Sequence, residues 1–214
     1  MKAVKPRQRG ALRADARRNR DRILAAAADA FAESGPDTPV EEIANAAGVA
    51  VGTLYRRFPD REALIRGVGI INLANALAET RAAAAEEPTA WDALVRILGQ
   101  SQHLRLSLQL TFDSPGARAI LADDPEATAL KRQMMAVLDD VVRTAQAEGA
   151  LRSDIGTGDV AMAYVLLVRR VMIPRIEAAP LASERCIALM LDALRGGPGH
   201  PLPGRALNRT DLGL

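Results

Sequence analysis

The sequence predicts an all-α fold, and three observations carry that expectation. Aromatic residues make up 3% of the chain while apolar residues overall make up 49%, so Ala, Leu, Val and Ile must build the core, which suits close-packed helices. Apolar positions recur at steps of three and four in one stretch after another. Pro, Gly and capping residues punctuate those stretches where helices start and stop, and no convincing strand pattern appears. At 214 residues the chain can hold one ordinary domain or two small ones. The expected order is a three-helix head, a long connecting helix and a C-terminal helical bundle.

Residues 1–14 carry dense basic charge interrupted by Pro6 and Gly10, and are expected to form a flexible arm. A first helix is expected from about Asp15 to Ser34. Ile23, Ala27 and Phe31 follow at i+4 steps on its inner face, and Gly35-Pro36 ends it. Thr38 can N-cap a second helix, with Glu41 completing a capping box. Ile43, Ala44 and Ala47 give that helix an apolar face, Gly48 sits where a left-handed residue is needed, and Val49 plugs the corner. A third helix from Val51 to Phe58 puts Leu54 and Phe58 on one face, and Pro59 stops it. Asp60 is the expected cap of a long fourth helix that reaches the Ala82–Ala85 run.

From Pro88 the chain changes character. Thr89 caps a helix holding Trp91, Leu94, Val95 and Leu98, and Leu104 to Phe112 is a further apolar helical stretch. Ser114-Pro115-Gly116 reads as a turn. Asp123-Asp124-Pro125 opens a helix that ends at Gly149 and carries Leu130, Met134, Val137, Leu138, Val141 and Ala145 at helical spacing. Leu151 to Gly158 reads as a loop. Thr157 or Asp159 then starts the most hydrophobic helix, Val160 to Ile173, and Pro174 stops it. The last helix is expected from Ser183 to Leu194, ending at Gly196-Gly197. The divisions are therefore an arm at 1–14, a head at 15–66, a bundle at 67–196 and a Pro/Gly-rich tail at 197–214, loose or draped on the surface.

Composition excludes several classes. No run of about 18 apolar residues occurs, so no membrane span is expected. No apolar signal core follows the basic N-terminus, so a cytoplasmic location is expected. Cys186 is alone, which rules out an internal disulfide or a thiolate metal cluster, and it is expected to be a buried small hydrophobe. No cofactor or metal motif is present. The overall charge of +2 hides an asymmetry. Residues 1–66 hold 13 Lys or Arg against 9 Asp or Glu, and residues 1–22 hold nine basic residues against Asp15 and Asp21. Such a basic leader implies a polyanionic partner or a solvated tail.

The third helix carries the functional signal. It is buried through Leu54 and Phe58, and presents Gly52, Thr53, Tyr55 and Arg56 on its other face. A short helix that follows a tight turn, apolar on one side and compact and cationic on the other, suits the DNA major groove. The backbone N–H groups at Ala50-Val51-Gly52 favour a phosphate oxygen. Gly52 permits close approach. Thr53 can touch a phosphate or a thymine methyl. Tyr55 can donate to a phosphate, and Arg56 can hold a phosphate or read guanine. Val51 can pack on a thymine methyl, and Ala50 supplies no side-chain cap. Arg57 reads either as a solvated charge or as a contact. Of Arg7, Arg9, Arg13, Arg17, Arg18 and Arg20, about half are expected to reach phosphate or a minor groove.

Arg22 through Leu64 resembles the DNA-binding domain of the tetracycline-repressor (TetR) family. The matching pieces are Arg22-Ile23-Leu24-Ala25-Ala26-Ala27, Phe31-Ala32-Glu33-Ser34-Gly35, Ile43-Ala44, Ala47-Gly48-Val49, Gly52-Thr53-Leu54-Tyr55-Arg56-Arg57-Phe58 and Arg61-Glu62-Ala63-Leu64. The run RSDIGTGDV and the closing LPG are similar to the SbtR-like ligand domains. The resemblance implies phosphate contacts at Thr38, Thr53, Tyr55 and Arg61, with Val51, Gly52 and Arg56 nearest the bases. It implies a homodimer on a palindromic double-stranded operator and a C-terminal domain that binds an unknown small-molecule effector and acts through the fourth helix. Two half-sites one helical turn apart require such a dimer. The helices around Met134–Ala145 and Val160–Ile173 are the interface candidates; the alternative is burial of both in the monomer core. Met134, Met135, Met162, Met172, Phe112 and Trp91 could line an apolar pocket with His103 as a polar anchor, or could be plain core.

Two other functions compete. One is an enzyme with an appended DNA-binding head, which the absence of a metal cluster, nucleophile elbow or phosphate loop disfavours. The other is an architectural protein that binds DNA without sequence preference, which the defined reading helix disfavours.

Overall fold

A computed structural model of the chain describes residues 6–100, 102–112, 114–168, 179–197 and 200–213. Ten α-helices form among these residues, and the one β feature among them is an isolated bridge between Leu151 and Arg195. The helix α1 spans Pro6–Ser34. It begins well before Asp15, so helix replaces most of the expected arm. Proline is compatible with this start because the first turn needs no N–H donor there. Gly35, at φ 87°, ends it as expected.

α2 spans Val40–Ala46, and the residue at its N-cap is Pro39, with no side-chain cap. The expected Thr38–Glu41 capping box is absent. The buried Thr38 hydroxyl instead donates to the carbonyls of Gly35 at 2.9 Å and Ala30 at 3.4 Å, fixing the turn between α1 and α2. Glu41 and Glu42 still lie in the first turn, where the helix dipole favours them. Gly48 takes φ 61°, and α3, Val51–Arg57, follows. Phe58 leaves the helix in an extended conformation, as the residue before Pro59 must. Asp60 then caps α4, Arg61–Glu86, by accepting from the Ala63 N–H at 2.7 Å.

α5 (Ala90–Gln100) is capped by Thr89, whose hydroxyl accepts from the Asp92 N–H at 3.0 Å. α6 is Gln102–Phe112. Ser114-Pro115 is not merely a turn: Ser114 caps a short helix, α7 (Pro115–Ala122), with proline at its start. Asp124 caps α8, Pro125–Ala147. α9 is Thr157–Val168, and its expected extension to Ile173 lies outside the described residues. α10 is Ala179–Leu194, starting before Ser183.

The tail is docked, not loose. Asp159 accepts from the N–H groups of both Gly156 and Leu207, and the Gly158 N–H donates to the Leu207 carbonyl at 2.8 Å. Glycine is needed there, because a Cβ on Gly158 would lie 2.7 Å from the carbonyl carbon of Leu207. A 3-10 turn at Arg209–Leu212 follows, tied by Arg205 to Asp211.

Two apolar cores stack along α4. The first joins Ile23, Phe31, Ile43, Leu54 and Phe58 of the head to Leu106 and Leu110 of α6 and Leu121 of α7. The second collects Trp91, Leu94, Leu138, Val142, Val160 and Leu191 in the bundle. The head thus shares its core with α6 and α7.

Candidate functional site

The reading helix is held by its neighbours. Arg22 of α1 donates from one terminal nitrogen to the carbonyls of Ala47 and, at 3.0 Å, Gly48. The Val49 N–H donates to the Ala44 carbonyl at 3.0 Å. Leu54 and Phe58 are buried in the head core, which leaves the opposite face of α3 outward. On that face Gly52, Tyr55, Arg56 and Arg57 are exposed, and Val51 and Thr53 are half-buried. A Cβ on Gly52 would meet nothing within 4 Å, so the backbone there is open to an approaching surface. Arg56 donates to the Thr53 hydroxyl at 3.0 Å, aligning two of the expected contact residues. Ala50 makes no side-chain cap, as its chemistry requires.

The other expected contacts are placed differently. Arg61 directs one terminal nitrogen to the carbonyls of Pro36, at 2.6 Å, and Thr38, at 2.9 Å. It latches α4 to the α1–α2 turn, with the rest of its five donors unused by these two bonds. Thr38 is 6% exposed and its proton is committed to carbonyls, so it shapes the turn and does not project from the surface. Arg18 is exposed and paired with Asp15 on its own helix. Arg17 and Arg20 are exposed on α1; the side chains of Arg7, Arg9 and Arg13 lie outside the described ones.

A second site lies in the bundle. A cavity of about 370 Å³ opens between α4, α5, α6, α8 and α9, with Leu212 of the tail in its wall. Phe112, Met134, Met135 and Met162 line it. Trp91 does not: it is buried in the bundle core with the Arg195 guanidinium 4.3 Å over its ring. His103 does not either, because its Nδ1 is held 2.7 Å from a Glu79 oxygen on α4. Met172 lies outside the described residues. Ser107, Lys131 and Tyr164 line the cavity and were not anticipated. A signal existed for Lys131: it falls i+4 from Ala127 and i−4 from Met135, both buried, so a cation stands in an apolar register.

Apolar exposure marks a third surface. Leu166 of α9 and Leu181 and Leu189 of α10 are each more than half exposed. Ala182, Cys186 and Ala193 are exposed beside them at helical spacing. Cys186 is therefore on the surface, contrary to expectation. The outer side of α8 is polar instead, with Arg132, Gln133, Asp140, Arg143 and Thr144 exposed, because its apolar stripe is consumed by the monomer core.

Residues 23–68 match the family described as bacterial regulatory proteins, tetR family. The chain is 30% identical over 198 residues to the HTH-type transcriptional regulator UidR of Escherichia coli K12, covering 87% of this chain and 95% of that protein. It is also similar to the TetR transcriptional regulator SCO0520 from Streptomyces coelicolor, at 31% identity and a TM-score of 0.64, with 84% of this chain and 99% of that one covered. A TetR regulatory protein from Mycobacterium vanbaalenii is 30% identical with a TM-score of 0.56, over 86% of this chain and 99% of that one. No described helix is long and apolar enough to cross a membrane. The chain belongs to the TetR family of bacterial transcriptional regulators, which bind operator DNA as homodimers and answer to small-molecule effectors.

Proposed function

We propose that this regulator is a cytoplasmic, non-enzymatic repressor that reads its operator with α3. Val51, Gly52 and Arg56 approach the bases, and Thr53, Tyr55, Arg61 and Arg18 hold phosphates. The observation that carries this is the exposed face of α3, open over Gly52 and cationic at Arg56 and Arg57, on a helix whose other face is locked in a core. Thr38 supports the surface through the turn. Arg18 exchanges Asp15 for a phosphate. The domain division is proposed as a head at 15–66, carried by α4 into a bundle at 67–196, with the basic N-terminal residues as an electrostatic extension and the tail at 197–214 as a strap.

The dimer face is assigned to α9 and α10, through the exposed stripe around Leu166, Leu181 and Leu189. Apolar surface of that kind needs a partner. The effector site is the bundle cavity. One face of α6 (Leu104, Ser107, Leu108, Thr111) lines it, while Leu106 and Leu110 on the same helix sit in the head core. A ligand that displaces α6 therefore moves the packing under the reading helix, and it releases DNA by binding more tightly to that displaced state.

Selection of bound sequences from random duplex DNA, at near-physiological salt, tests this. Enrichment of a palindrome with half-sites about one turn apart is expected. Binding without enrichment would indicate an architectural protein instead, and absence of binding would refute the reading of α3.

A further inference from the structure

The bundle cavity holds polar groups that the protein leaves without partners. Among the described residues the Ser107 hydroxyl and the Tyr164 hydroxyl find no hydrogen-bond partner, although the two residues are 3% and 2% exposed. This is a choice of geometry, not of residue type. Thr80 and Thr111 also line the cavity, and each donates to the carbonyl four residues back at 2.8 Å. Ser107 sits on the same helix as Thr111 and does not. Lys131 also reaches the wall and makes no hydrogen bond or ion pair among the described residues. The carboxylate that acts on it is Asp124, which caps α8 and pairs with Arg66 at 3.4 Å. Burial lowers the Lys131 pKa, and the attraction of Asp124 offsets this only in part. Burial also pushes Tyr164 up to about 12, which keeps its hydroxyl neutral and able to donate.

The rest of the wall restricts the occupant. Among the described residues no Asp or Glu lines the cavity, so an organic cation would meet Lys131 with no described carboxylate in the wall to offset it. A sugar or other polyol presents more polar groups than the two unpartnered hydroxyls, two already-donating threonine hydroxyls and one ammonium of the wall can satisfy. Three methionines and Phe112 offer a soft apolar enclosure that adapts to shape. At the ~30 Å³ that a water occupies in the liquid, the volume admits roughly a dozen non-hydrogen atoms.

We propose that this cavity takes a mostly apolar monocarboxylate of about that size, whose oxygens pair with Ser107, Tyr164 and Lys131 while its hydrocarbon body lies among Phe112, Met134 and Met162. The proposal deepens the effector reading and rests on it only for the regulatory consequence of binding.

The test is calorimetry and thermal shift on the full chain with two bodies, decanoate and 4-phenylbutyrate, each beside its alcohol and its amine. At least one carboxylate is expected to bind ten-fold or more tightly than its alcohol and its amine. Lys131→Met is expected to abolish that margin. Ser107→Ala and Tyr164→Phe are expected to weaken the carboxylate several-fold without lowering the melting temperature of the free protein, since each removes an unpartnered hydroxyl. Failure of both carboxylates to bind, equal binding of an amine or alcohol, or unchanged carboxylate affinity in Lys131→Met would each overturn the proposal. Palindrome selection by the ligand-free protein is independent of all these outcomes, so this inference can fail while the regulator reading stands.

Discussion

Arg22 of α1 donates to the main-chain carbonyl of Gly48 at 3.0 Å, 26 residues further along the chain. The same nitrogen reaches the Ala47 carbonyl. One cation thereby satisfies the two carbonyls at the corner between α2 and α3, where helix geometry leaves acceptors without partners. The aim of the reading helix is set from outside the helix-turn-helix itself.

Arg22→Ala is expected to destabilise the fold by about 1.5 kcal/mol, the low end for hydrogen bonds to a charged group. Gly48→Ala is expected to cost about 1–2 kcal/mol, because it forces a side chain into the left-handed region. Urea unfolding measures both. Intact stability in Arg22→Ala with lost DNA binding would instead make Arg22 a direct contact.

Substitutions on the outer face of α3 should separate stability from binding. Gly52→Ala is expected to hold or raise stability by up to about 1 kcal/mol, since its Cβ enters open space in a helix. DNA affinity should fall at the same time. Arg56→Ala should cost about 1–3 kcal/mol and relax preference at one base pair if it reads a base. If it holds phosphate, it should weaken all sequences alike and reduce the salt slope by about one unit. Tyr55→Phe should weaken binding and leave the melting temperature unchanged.

Gly69 packs α4 against α7: an added Cβ would lie 2.4 Å from a Leu121 methyl. Leu121 is 1% exposed and has little room to yield. Gly69→Ala is expected to destabilise by about 1–3 kcal/mol as an overpacking change. Leu121→Val on that background should recover part of the loss, and a double-mutant cycle with no coupling would refute the clash.

Lys131 gives a pH dependence with a definite sign. Its folded pKa is lowered below 10.5, so between the two values the unfolded chain binds more protons. Stability contributed by this group therefore rises with pH across that window. Affinity for a carboxylate should fall over the same window as the ammonium loses its proton. Comparing wild type with Lys131→Met by calorimetry between neutral pH and about pH 10.5 isolates the effect, and identical profiles would remove Lys131 from the site.

The docked tail is the remaining test of packing. Gly158→Ala places a methyl against the Leu207 carbonyl, which backbone cannot evade. Residues 205–213 should then become sensitive to protease, with Leu212 withdrawn from the cavity wall, and unaltered protection would contradict the docking described above.

Helix type, most boundaries and the reading helix were legible in the sequence because they depend on local chemistry. Leu54 and Phe58 on one face, Gly48 at a left-handed corner, and Asp60 and Thr89 as caps all follow from residues within one or two turns of each other. Boundaries failed where local signals compete: Pro39 displaced Thr38 from its cap, and the helical register carried α1 back to Pro6 through charge and glycine that resembled an arm. What the chain could not disclose locally was every relationship across distance. Arg61 faces two carbonyls of another element, Cys186 is turned outward beside Leu189, and Ser107 is left without the backbone partner that Thr111 finds. Spacing along a helix fixes which residues share a face; only the packing of α4, α6, α8 and α9 decides which face meets a core, a cavity or solvent.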